Sequence, residues 1–364
     1  MTDHLFSPIR LGGLELANRI VVSPMAQQSS VDGNAQDWHL MHLGQFAVSG
    51  AALVMVEGTS VSKQARGGPG SMGLYSDDNQ AALGRVVSFC KTAGDAAMGI
   101  QMGHSGRKKM VGMPQELREK LMASGPEWDV VAPSAIAWDN QAVLPRALDE
   151  AGMAEIKETF AQAAIRADTA GFDLIEIQGA HGYLVHEFLS PLTNQRDDGY
   201  GGSLENRMRF PLELFETMRT AWPASKPLGI RLSATDWIEG GWDLEGTLAL
   251  AKELEKRGCD FIDASTGGLD PSQVIQVGPG YQVEFAAEIR RQTNITVISV
   301  GLINEPAQAD QIIRSGQADM VALGRAMLFN PRWPWHAAVE LGHKAPAPKK
   351  YARAHPAMGD WAGG

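Results

Sequence analysis

Cysteine is nearly absent from this chain: Cys90 and Cys259 are the two among 364 residues. Two cannot build a disulfide framework, and both read as ordinary thiols of a reducing cytoplasm. No apolar run approaches the roughly 18 residues that span a bilayer. The N-terminal MTDHLFSPIR has no apolar core of the signal-peptide kind. Basic charge is in deficit, with 32 Lys and Arg against 42 Asp and Glu, a net charge of −10 and a pI of about 5.4. No basic stripe compensates, which argues against nucleic acid and anionic membrane as partners. Also missing are a Cys/His metal spacing, a G-x-S-x-G elbow and a lysine at a strand end suited to Schiff-base chemistry. No composition shift, low-complexity linker or short repeat marks a second domain.

What is present is a soluble globular composition, 44% hydrophobic and 20% charged, with apolar runs that recur in alternation with helical patterns. Strands are expected near Arg19–Pro24, Ala52–Glu57, Ala97–Met102, Leu174–Gln178, Leu228–Leu232, Phe261–Ala264, Val297–Val300 and Met320–Leu323. Helices are expected over Asp78–Ala93, Glu150–Ala170, Leu204–Trp222, Leu244–Arg257, Val283–Gln292, Pro306–Arg314 and Pro331–Leu341. In the second of these, Met153, Ile156, Phe160, Ala163 and Ala167 form one apolar face. Gly94, Gly171, Gly258 and Gly316 fall just past helix ends, where a left-handed residue is called for. Eight strands alternating with helices predict a single-domain α/β fold, a (β/α)8 TIM barrel over residues 1–345. A doubly wound sheet is the runner-up, but no G-x-G-x-x-G opens a helix after the first strand. Residues 110–148 are too long for a bare connection and predict a lid or hairpin over the barrel mouth. Residues 346–364 read as an extended C-terminal tail.

Barrel enzymes keep their chemistry at the carboxyl ends of the strands. Strand four breaks there from Leu174–Ile177 into Gln178, with His181 and Tyr183 in the next turn: two donors for an oxygen and one proton source. Strand one ends Ser23-Pro24-Met25-Ala26, a cap whose methionine suits contact with a flat ring. Strand two ends at Gly58, where the backbone permits close approach. Strand three carries Gln101, either a polar barrel layer or a partner for a pyrimidine edge, then His104-Ser105-Gly106-Arg107-Lys108, in which His104 reads as a hydrogen-bonded loop residue. Arg231 ends strand five and needs a partner, either Glu176 or an anionic cofactor. Gly301 after strand seven and Gly324-Arg325 after strand eight stand where barrels bind phosphate, and they indicate phosphate without saying which. His39 and His42 read as packing or interface rather than metal, and Trp333-Pro334-Trp335 as packing on the outer wall.

The stretch HGYL-x-HEFLSPL-x-N-x-R-x-D-x-YGGS-x-ENR-x-R, here spanning His181–Arg209, resembles the strand-four region of the old yellow enzymes, in particular their bacterial xenobiotic-reductase branch. The resemblance runs from Leu5 to about His355. It implies non-covalently bound FMN reduced by NADPH or NADH, then hydride transfer to the β-carbon of an alkene conjugated to a carbonyl or nitro group. Carried over residue by residue, Ser23, Pro24, Met25, Ala26, Gly58, Gln101, Arg231, Gly301, Gly324 and Arg325 hold the cofactor, with Arg231 facing the pyrimidine edge of the ring. Gln178 and His181 clamp the substrate oxygen, Tyr183 protonates the α-carbon, and Gln28 contacts substrate. Arg353, in Tyr351-Ala352-Arg353, reaches into a neighbour's site and makes the working unit a homodimer or homotetramer; the alternative is a disordered tail.

Three positions depart from that family. Gln178 stands for histidine, which keeps a donor but not a cationic form. Ala26 stands for a redox-tuning cysteine, a loss worth about 0.5–1.5 kcal/mol, or on the order of 10–30 mV for two electrons. Gln28 stands for a substrate-contacting tyrosine. Apart from these three, in the tail, His355 stands where the terminal motif closes on an aromatic. The Ala26 and Gln178 changes keep open the same flavin barrel run oxidatively as a dehydrogenase or N-demethylase; a flavin- or phosphate-binding barrel without turnover is a separate alternative.

Overall fold

Eight parallel strands close on themselves in this computed structural model, which describes residues 4–355 and 357. They are β1 (Ile20–Val22), β2 (Leu53–Ser60), β3 (Ala97–Gly103), β4 (Leu174–Gly179), β5 (Leu228–Ser233), β6 (Phe261–Ser265), β7 (Thr296–Val300) and β8 (Met320–Leu323). Each pairs with its sequence neighbour, and β8 returns to β1 through Val321↔Ile20 and Leu323↔Val22. The helices between them are α1 (Asp37–Ala47), α2 (Asp77–Ala93), α3 (Glu150–Ala170), α4 (Leu204–Ala221), α5 (Leu244–Lys256), α6 (Val283–Gln292), α7 (Pro306–Arg314) and α8 (Trp333–Glu340). The (β/α)8 barrel is therefore the observed architecture.

Alternation along the strands explains the closure. In β4, Ile175 and Ile177 join the apolar layer under the helices, while Leu174 joins Leu53, Met55, Phe261, Ile298 and Met320 in a plug inside the barrel. Above that plug the same inward register turns polar, with Gln101, Glu176, Arg231 and Asp263, all buried. The helices start where the sequence provides a cap: Ser76, Asp149, Ser203 and Asp243 each accept a hydrogen bond from a first-turn amide.

Several expectations shift. Gly171, Gly258 and Gly316 do have positive φ, but Gly94 is extended, with φ −143° and ψ 179°. Glycine is required there for a different reason: a Cβ would come within 1.9 Å of the Ala47 carbonyl oxygen. The last helix begins at Trp333 rather than 331, after a short separate helix, Arg325–Phe329. Helix α1 rests on a capping box between Gln36 and His39. An N-terminal hairpin pairs Ile9–Leu11 with Leu14–Leu16.

The 110–148 excursion holds a helix, Gln115–Ser124, and a two-stranded pairing of Val131–Ala132 with Arg146–Ala147. That pairing is parallel, so the excursion is not a hairpin. Its own small core is Met110, Trp128 and Val130. The tail packs Pro346 and Pro348 beside Asn18, Ala52 and Ala96, at the amino ends of the first strands. Residues 356 and 358–364 of the expected tail lie outside the described residues.

Candidate active site

Two cavities meet at the carboxyl end of the barrel. The first, about 370 Å³, is lined by Pro24, Ala26, Gln28, Gly58, Gln101, His104, Gln178, His181, Tyr183 and Arg231, among others. The second, about 300 Å³, is lined by Ser23, Pro24, Met25, His181, Ser265, Tyr281, Gln282, Gly301, Gly324 and Arg325, among others. Pro24, His181 and Arg231 belong to both, so the cavities share a wall. The structure thus brings together every proposed site residue except Arg353. That side chain is exposed on the tail and lines neither cavity of its own chain.

Strand register sets the polar floor. Gln101 lies opposite Glu176, and Gln178 opposite Arg231. Gln178 Nε2 donates to Gln101 Oε1 at 3.1 Å, Gln101 Nε2 donates to Glu176 Oε1 at 2.7 Å, and Ala180 N donates to Gln178 Oε1 at 3.2 Å. Both amides therefore have a defined orientation. Of the two partners left open for Arg231, Glu176 or an anionic cofactor, the first is not the carboxylate that faces it. Arg231 Nε lies 3.4 Å from Asp263 Oδ2, because Asp263 is its direct opposite in the β5–β6 register.

The loop after β4 is held from below. Gly182 N donates to His186 Nδ1 at 2.9 Å, and His186 Nε2 lies 2.9 Å from Asp236 Oδ1 in an off-line approach, with both side chains fully buried. Asp236 Oδ2 also accepts from Ser190 Oγ and from Trp242 N. His181 takes a left-handed φ of 60°; its amide donates to Ser233 Oγ, and its Nε2 is 2.7 Å from Ser265 Oγ. Lys108 Nζ donates to the carbonyls of His181 (2.8 Å) and Gly268 (3.0 Å), and lies 5.1 Å from the centre of the Tyr183 ring and 4.3 Å from that of Trp138. One ammonium thus joins the β4 loop, the β6 loop and the excursion after β3.

A sequence model of the NADH:flavin oxidoreductase / NADH oxidase family matches residues 4–343. The chain belongs to this family, the old yellow enzymes. It is 41% identical to an NADPH dehydrogenase of Geobacillus sp. (strain WCH70), over 97% of this chain and 99% of that one. It is 39% identical to the NADPH dehydrogenase of Bacillus subtilis (strain 168), over the same shares. Among solved structures, morphinone reductase superposes with a TM-score of 0.79 at 30% identity, covering 93% of this chain and 90% of that one. As an old yellow enzyme the chain is an oxidoreductase whose cofactor is FMN and whose reductant is a nicotinamide dinucleotide.

In this old yellow enzyme the site's electrostatics follow from burial. Burial, then Arg231 and Lys108, holds His181 well below its ordinary range, so the ring is neutral near pH 7. Burial raises the Tyr183 phenol, which keeps it protonated. Burial lowers Lys108 to about 8, and pushes Glu176, beside Asp263, up to about 8. His104 is lowered to about 3 by burial and Lys109; its Nδ1 accepts from Gly106 N, the loop role expected of it.

Some contributors escaped sequence reading. Ser265 follows from period two, because 261, 263 and 265 share a strand face. Lys108 stood in a recognised run without a role. Gln282, which donates to Val300 O and accepts from Thr266 Oγ1, follows a Gly-Pro-Gly-Tyr turn and carried no signal. His39 and His42 are buried in α1, as packing; His39 Nε2 lies 3.4 Å from Glu57 Oε1. The thiols are buried, with Cys90 pushed up to about 12. Among the described residues no His/Cys/Asp/Glu group is arranged to hold a metal ion, and no helix is long and apolar enough to cross a membrane.

Proposed function

We propose that this old yellow enzyme is an ene-reductase that uses NADPH, or NADH, to reduce an alkene conjugated to a carbonyl or nitro group. The observation that carries the reading is the first cavity, in which an amide, an imidazole and a phenol (Gln178, His181, Tyr183) face the same space as Gln101 and Arg231.

FMN fits the residues present. Ser23 Oγ and Arg231 Nε are buried at this site without a hydrogen-bond partner. Gly301 has φ 125°, and a Cβ there would come within 2.8 Å of Gln282 Nε2, so the loop keeps its backbone close to the second cavity. Gly301, Gly324 and Arg325 would hold the phosphate. Ser23, Pro24, Met25, Ala26 and Gly58 would bed the ring, with Gln101 and Arg231 at its pyrimidine edge. When bound, FMN supplies the hydride.

The chain's own groups do the rest. Gln178 Nε2 uses one of its two N–H groups on Gln101, and the other remains for a substrate oxygen. His181 Nε2 and Ser265 Oγ lie 2.7 Å apart, and in the tautomer that carries the ring proton on Nδ1 the hydroxyl donates to Nε2 and His181 is a donor. Fixed donors act on the oxygen where negative charge grows. Tyr183, kept protonated by burial, gives its proton to the α-carbon. Gln28, exposed at the cavity wall with φ 50°, contacts the substrate where relatives of the branch place an aromatic. The relatives named NADPH dehydrogenase favour NADPH. Residues 110–148 act as a lid, linked to the site through Trp138 and Lys108. The exposed Arg353 reaches a neighbouring copy in a homodimer or homotetramer working in the cytoplasm.

The test is anaerobic. NADPH should bleach the flavin of the purified protein, and cyclohexenone should restore its colour with formation of the saturated ketone. Flavin that stays oxidised with NADPH but bleaches with an amine or a saturated carbonyl would replace this reading with the oxidative one. A colourless, folded protein that takes up no FMN would leave neither.

A further inference from the structure

The barrel mouth buries more negative charge than it neutralises. Glu176 on β4 is 1% exposed and accepts a hydrogen bond from Gln101 Nε2. Asp263 on β6 is 2% exposed, and its Oδ1 has no hydrogen-bond partner among the described residues. Between those strands β5 carries Arg231, 3.4 Å from the other Asp263 oxygen. Arg231 and Asp263 are the charged groups that act on Glu176; β3, on its other side, contributes the neutral Gln101. Two carboxyl groups therefore face one guanidinium in a water-poor layer. An uncompensated buried carboxylate is strongly disfavoured, so the resting pair holds one proton. The upward push on Glu176, from burial first and Asp263 second, agrees with this count.

We propose that Glu176 and Asp263 form a redox-linked proton reservoir, holding one proton while the flavin above Arg231 is oxidised and two when it is reduced. This rests on the reading that places the pyrimidine edge of FMN at Arg231. Reduction brings negative charge to that edge. The guanidinium then divides its field between the ring and the carboxyl pair, and the pair compensates by binding a proton. The balance closes: NADPH gives two electrons and one proton to the ring as hydride, and solvent gives one proton to the pair. When hydride and the Tyr183 proton pass to the alkene, the ring loses its charge and the pair releases its second proton, while solvent reprotonates Tyr183.

The experiment is an equilibrium redox titration of the holoenzyme from pH 6 to pH 8 with a chemical reductant and no alkene. Each proton taken up with two electrons lowers the midpoint potential by about 30 mV per pH unit. Hydride chemistry alone gives one proton; the reservoir adds a second, for a slope of about 60 mV per pH unit. Glu176→Gln and Asp263→Asn each leave one carboxylate to take up the second proton and should keep the steep slope, whereas the double variant Glu176→Gln/Asp263→Asn should bring it down to about 30. Where the double variant fails to retain flavin, the single variants stand in: on reduction Glu176→Gln should show an aspartic acid band alone and Asp263→Asn a glutamic acid band alone. Infrared difference spectra of the wild type, reduced minus oxidised, should show a protonated carboxyl band growing in. A wild-type slope of about 30 with no such band overturns the proposal, as does a slope of about 60 that the double variant keeps. Because no alkene is present, failure of enone reduction with the steep slope intact would sink the ene-reductase reading and leave the reservoir standing.

Discussion

The two cavities at the barrel mouth are built on different plans. The first is a side-chain site: an amide chain runs from Gln178 through Gln101 to Glu176, an imidazole is pinned by Ser265, and a phenol sits beside Lys108. The second draws on the loops after β7 and β8, with Gly301, Gly324 and Arg325 on its wall. All three departures from the old yellow enzyme pattern, at Ala26, Gln28 and Gln178, line the first cavity, and none of them lines the second. Backbone amides that cradle a phosphate tolerate little change in the chain path. A side-chain wall can be exchanged residue by residue to suit another substrate.

Variants on each side break or sharpen this contrast. The largest effect is expected from Tyr183→Phe, which should lower enone reduction by roughly 10²–10⁴-fold while stopped-flow reduction of the flavin by NADPH stays within twofold or so. Equal loss in both half-reactions would show that Tyr183 holds the loop rather than gives a proton. Next, Asp236→Ala removes the acceptor shared by Ser190 and Trp242, and with it the carboxyl group beside His186. Leaving the buried Ser190 hydroxyl and Trp242 amide without their acceptor costs about 1–3 kcal/mol each, to be read from the urea midpoint. An unchanged midpoint would show that the β4 loop stands without its support.

At the second cavity, Arg325→Ala should weaken FMN retention by roughly tenfold, since hydrogen bonds to charged groups are worth about 1.5–3 kcal/mol and this side chain is exposed. Turnover at saturating FMN should hardly move. Loss of turnover with retention intact would place the phosphate elsewhere.

A pH effect follows from Glu176. Its carboxyl is raised from 4.5 to about 8, so between those values the folded chain holds a proton that the unfolded chain has released. This contribution to stability is present at low pH and declines as pH rises through that window. Glu176→Gln lacks the decline, so its melting temperature relative to wild type should climb from pH 5 to pH 9. A flat difference would show an ordinary carboxylate. The smallest effect is expected at the lid: Trp138→Ala removes one aromatic face from the Lys108 ammonium, about 0.5–1 kcal/mol, visible as a modest rise in KM for the enone with flavin reduction unaltered.

Much of this was legible from residue order. Apolar runs and helix periodicity located seven strands and most helices within a residue or two, and β2, which continues through Gly58 to Ser60, within three, because each strand is short, apolar and bounded by polar loops. The β4 motif and the glycines after β7 and β8 marked the rim. What stayed hidden was pairing across strands. Arg231 has carboxylates on both flanking strands, and only the register showed that Asp263, not Glu176, sits opposite it. Gly94 looked like a left-handed cap, yet it is glycine because α1 ends against it, a contact that no local pattern contains.

Residue order by itself determined the barrel, the family and the kinds of side chain at the strand ends, since periodicity and motif spacing are local properties of the chain. The tertiary structure alone decided which donors are already engaged, which buried carboxyl groups share one cation, and how Lys108 ties three loops together. Those outcomes depend on distances between residues far apart in sequence, and closure of the sheet is what sets them.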